Sequence, residues 1–169
     1  MSQVADVLAA ADPAQLARPS NAFVAMHAAV TYALAGDDDG LGRLAAYARS
    51  AAPAVFPAII APLADGLRAY TTGRYGDAAD VLGPLLPRLR EVGGSGVGGS
   101  AAQREVIEDT HLHALLGAGR IAEARGLLVR RLDRRPSRRD LRQAATILAS
   151  LADLGRMVPA SSLSSHHSS

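Results

Sequence analysis

The 169 residues are 49% apolar but only 4% aromatic, with no tryptophan, a length that suits one domain burying roughly 70% of its unfolded surface. The absence of cysteine excludes disulfides, thiolate metal sites and cysteine nucleophiles. The net charge of +2 hides an asymmetry: residues 1–119 hold 8 arginines against 12 acids, residues 120–142 hold 9 against 3, and no basic side chain is lysine.

Residues 1–20 lack the basic start and long apolar stretch of a secretory signal, and 2–11 (SQVADVLAAA) can form a short helix before a turn at Asp12-Pro13. Ser20 or Asn21 is a suitable N-cap for an alanine-rich apolar helix over 22–35. Gly36 to Gly40 then turns the chain. Its three aspartates, Asp37, Asp38 and Asp39, lack the alternate spacing and distant glutamate of a calcium loop. They are expected instead at the positive N-terminus of the next helix, 41–50, which Pro53 ends. Residues 55–72 form a third apolar segment with a kink expected at Pro62, since an interior proline removes a helical hydrogen bond and crowds the preceding turn. Gly73-Arg74 turns the chain back into 75–92, which Pro84 and Pro87 should disturb.

Residues 93–100 (GGSGVGGS) are the one low-complexity tract and the expected mobile loop. Ser100 and Gln103 fit a capping box for a helix carrying Val106, Ile107, Ala114, Leu115 and Leu116. Gly119 supplies a left-handed turn, and Ile121, Ala124, Leu127, Leu128 and Leu132 return at helical spacing until Pro136. Ser137 and Asp140 resemble a further helix start, 141–154 fits a last amphipathic helix, and 157–169 is expected to be a disordered tail. Nowhere do valine and isoleucine alternate with polar residues long enough for a strand, and no 18-residue apolar span is present. A soluble, cytoplasmic, all-α protein is expected.

Aligning Gly36, Gly73 and Gly119 reveals a repeat. Five residues after each stand Leu41, Ala78 and Ala124; nine after stand Ala45, Leu82 and Leu128; seventeen after stand Pro53, Arg90 and Pro136. These offsets, with Gly66, Tyr75, Ala78 and Leu82 giving the middle unit its best match, resemble the tetratricopeptide repeat. More narrowly, Leu85-Leu-Pro-Arg-Leu, Gly98-Gly-Ser-Ala-Ala-Gln-Arg-Glu-Val106 and Gly117-Ala-Gly-Arg-Ile-Ala-Glu-Ala-Arg125 are similar to the tetratricopeptide repeat protein 38-like family, with Ala101 where that family commonly has histidine. The resemblance is best over 60–136 and implies a helical-repeat fold. The expected architecture is therefore antiparallel helix pairs stacked as a short right-handed superhelix (an α-α solenoid). A segment over 1–20 precedes a repeat domain over 21–156, with pairs at about 21–52, 55–92 and 101–136 and a capping helix over 138–155.

Gly94-Ser-Gly-Val-Gly-Gly99 fits G-x-G-x-x-G, but no strand delivers it to a helix as a dinucleotide site requires. His111 and His113, two apart on a helix, cannot chelate one ion together, and His27 stands alone. Glu105, Glu108 and Asp109 read as a solvated helix face. No serine-centred or metal-centred set stands out, so no catalytic residue, cofactor or metal is expected. Arg130, Arg131, Arg134, Arg135, Arg138, Arg139 and Arg142 could contact phosphate, yet no aromatic side chain interleaves them to stack bases, so a solvated face is the default. The repeat places the first helix of each pair on a concave groove lined by Phe23, Met26, Val30 and Leu34, then Ile60, Leu63, Leu67 and Tyr70, then Val106, Asp109, His113 and Leu116. A groove this apolar calls for an occupant: the terminal helices of this chain, a second copy, or an amphipathic helix of a partner. The expected function is a non-catalytic interaction or assembly module. The alternatives are a ligand or enzyme site at the glycine-rich loop 93–100, or nucleic-acid binding by the arginines of 130–142.

Overall fold

A computed structural model of the chain describes residues 16–51, 53–93, 101–134, 140–142, 144–146 and 149. The expectations for 1–15, for the glycine-rich residues 94–100 with Ser100, for Pro136 and Ser137, and for the tail lie outside these residues. The chain divides into two compact units, residues 1–120 and 121–169. In the first unit the α-helices are α1 (Ala22–Ala35), α2 (Asp38–Ser50), α3 (Ala61–Thr71), α4 (Tyr75–Gly93) and α5 (Ala101–Gly117). The second contains α6 (Ile121–Arg134) and further helical residues at 140–142 and 144–146. The fold is all-α, with no strand among the described residues.

The three hinge glycines share one backbone geometry. Gly36, Gly73 and Gly119 have φ of 69°, 75° and 70°, the left-handed region that glycine reaches without a Cβ clash. Each closes its helix with the same two bonds. The Gly36 amide donates to the Ala33 carbonyl and the Asp37 amide to Tyr32; Gly73 and Arg74 donate to Tyr70 and Ala69; Gly119 and Arg120 donate to Leu116 and Leu115. This Schellman pattern satisfies carbonyls that a helix end otherwise leaves unpaired.

Starts are as local as stops. The Asn21 side chain accepts from the Val24 amide at 2.9 Å, so Asn21 rather than Ser20 caps α1. Asp37 accepts from Gly40 at 2.7 Å, which starts α2 at Asp38, three residues earlier than the apolar pattern alone suggests. Asp38 and Asp39 sit in the positive first turn, and Asp38 accepts from the Thr71 hydroxyl at 2.5 Å. Pro62 acts one turn ahead of itself. Residues Phe56–Ile60 form a π-helical turn in which the Ala61 amide reaches back to Phe56, and Pro62 then falls in the first turn of α3, where its missing N–H is harmless. Pro84 and Pro87 do not break α4, which runs through both. Both are exposed while Leu82, Leu85, Leu86 and Leu89 are buried, so both prolines stand on the outer side of α4.

Successive helices of the first unit pack antiparallel. Thr71 at the end of α3 reaches Asp38 at the start of α2, while Arg49 near the end of α2 pairs with Asp65 of α3 at 2.6 Å. Between α4 and α5, Arg90 pairs with Glu108 at 2.7 Å, and Gly117 faces the Tyr75 ring. α3 is the hub, touching α1, α2, α4 and α5, and α1 also touches α5. Gly66 lets α3 and α4 close up, since a Cβ there would lie 2.7 Å from Leu82 Cδ2.

In the second unit, α6 buries Ala124, Leu127, Leu128 and Arg131. Arg131 meets Asp140 with both prongs of its guanidinium, Nε to Oδ2 at 3.2 Å and Nη2 to Oδ1 at 3.1 Å, and the two side chains are 6% and 4% exposed. This corrects the reading of Arg131 as part of a solvated stripe and of Asp140 as a helix start only: a buried charge is tolerable because it is paired and hydrogen-bonded.

Candidate functional site

The twelve residues assigned to the groove separate into three groups. Met26, Ile60, Leu63 and Leu67 are at most 2% exposed and belong to the core. Phe23, Leu34 and Val106 are 44%, 62% and 39% exposed. Val30, Tyr70, Asp109, His113 and Leu116 are half-buried. The four core residues are thus corrected as lining positions. α3 packs against α1, α2, α4 and α5, with Arg68 exposed and Asp65 half-buried on its outer side.

What remains on the surface is a face made by α1 and α5. On α1, Phe23, His27, Val30 and Leu34 follow one another at steps of four, three and four, which keeps them on one side of the helix. The Phe23 and His27 rings are tilted against each other with centroids 4.6 Å apart, and His27 Nδ1 lies 3.3 Å from the Phe23 carbonyl oxygen. The same nitrogen meets the side-chain amide of Gln103 on α5. Gln103 is buried, so this contact gives its amide a polar partner. Val106 stands one turn beyond Gln103, which carries the apolar surface from α1 onto α5. Asp109, His113 and Leu116 follow it at helical spacing.

Tyr70 is half-buried near the end of α3. Its ring packs edge-on against Tyr75 with centroids 5.6 Å apart, and burial raises its hydroxyl pKa, with Tyr75 adding to the shift. It is a neutral phenol at physiological pH. Tyr32 behaves alike: burial raises its pKa, partly opposed by Arg43.

Other candidate chemistry is accounted for in part. Among the described residues no group of three or more histidine, aspartate and glutamate side chains could hold a metal ion. His111 is buried against Gly83 while His113 is half-buried, so the two do point to different sides. Glu108 carries the ion pair with Arg90 rather than standing as a solvated acid. Of the arginine cluster, Arg130, Arg134 and Arg142 are exposed and Arg131 is buried; Arg135, Arg138 and Arg139 lie outside the described residues. No helix among the described residues is long and apolar enough to cross a membrane.

Sequence reasoning missed Gln103 as a bridge to α1, having placed it in a capping box with Ser100. It also missed Asp140 as the partner of Arg131. The signals were a polar residue on the buried side of α5 and an acid set within the arginine run, nine residues after Arg131. The chain matches no family model, no curated protein and no solved structure.

Proposed function

We propose that the protein is a non-catalytic interaction or assembly module of the tetratricopeptide-like helical-repeat kind. It acts in the cytoplasm and docks a protein partner or a second copy of itself on the face of α1 and α5. The observation that carries this reading is the exposure of Phe23, Leu34 and Val106 on two helices that touch. Large apolar side chains grouped on adjoining helices are a surface that covering stabilises, by about 1.5–3 kcal/mol for each side chain fully buried. The repeat reading is supported by three hinges of one geometry and by antiparallel packing of successive helices in the first unit.

The test is the molar mass in solution of the wild-type chain and of the Phe23→Glu, Leu34→Glu variant, with any stoichiometric companion identified. The wild type is expected to self-associate or to hold a partner. The variant is expected to be a lone monomer with unchanged circular dichroism and melting temperature. A wild type that is already a lone monomer, or a variant that associates equally well, removes the reading.

A further inference from the structure

We draw no further inference here: the strongest candidate, the apolar surface patch that Phe23, Leu34 and Val106 form on α1 and α5, carries nothing beyond the docking reading above, because nothing in the structure shows what covers it.

Discussion

Phe23, Ile60 and Val106 hold one position in the repeat, thirteen residues before Gly36, Gly73 and Gly119. Ile60 is fully buried, while Phe23 and Val106 are 44% and 39% exposed. The next position behaves similarly, with Leu63 fully buried and Asp109 half-buried, although Met26 is buried too. Position in a repeat thus fixes which side of a helix a residue occupies. It does not fix what that side sees. α3 packs against four helices, which bury Leu63 and Leu67 while Arg68 stays exposed, whereas α1 and α5 carry exposed apolar side chains. The middle of the first unit is a core and its flanks are a surface, although the three first helices share a pattern.

The largest expected effect would break this contrast outright if it failed to appear. Ile60→Arg loses a buried aliphatic side chain, worth about 2–5 kcal/mol, and leaves an unpaired charge in the core, which costs several more. Against a total stability of about 5–15 kcal/mol, the variant should not fold. Phe23→Arg, at the matching position, should change stability by no more than about 0.5 kcal/mol. Urea unfolding followed by circular dichroism checks both, and comparable losses at the two positions would mean that the flanking face is core as well.

How much of this was legible in the sequence follows from the same contrast. The hinges were legible because glycine at a helix end is a local chemical statement: three glycines were singled out, and all three have positive φ. The aspartates before α2 were legible for the same reason, one capping and two lying in the first turn. Pro62 was legible as a disturbance but not in form, because whether a chain absorbs a proline by kinking or by a π turn depends on the packing of Phe56, Ile59 and Ile60. The candidate face was half legible. Periodicity could place Leu63 and Phe23 on corresponding sides of their helices, but the meeting of α1 and α5 joins His27 to Gln103, which are 76 residues apart, and no local pattern encodes that.

The second effect carries the contrast into the second unit, where Arg130 and Arg131 are neighbours of one chemical type. Arg130 is exposed, whereas Arg131 is buried with Asp140. Removing one partner of a buried pair strands the other charge, so Arg131→Ala and Asp140→Ala should each cost about 3–5 kcal/mol. Arg130→Ala should fall within about 0.5 kcal/mol. Replacing both partners by apolar residues of similar volume should recover most of the loss, since desolvation of the pair offsets much of its attraction. A double-mutant cycle by urea unfolding measures the coupling, and single losses no larger than that of Arg130→Ala would return Arg131 to the solvated face.

The smallest effect separates two reasons for a glycine within α3 and its turn. At Gly73 a Cβ would meet nothing within 4 Å, so Gly73→Ala pays only for the left-handed backbone, about 1–2 kcal/mol. Gly73→Asn should pay less, because asparagine tolerates that conformation. At Gly66 the backbone is an ordinary helix and the obstacle is space, with Leu82 Cδ2 only 2.7 Å from a Cβ. Overpacking there should cost about 1–3 kcal/mol, partly offset by the roughly 1 kcal/mol that alanine gains over glycine in a helix. Asparagine cannot help at Gly66, since it adds bulk to the same contact. Melting temperatures should therefore run Asn above Ala at residue 73 and Ala above Asn at residue 66. If the two positions rank alike, the turn and the α3–α4 contact are not the separate constraints that their geometry makes them.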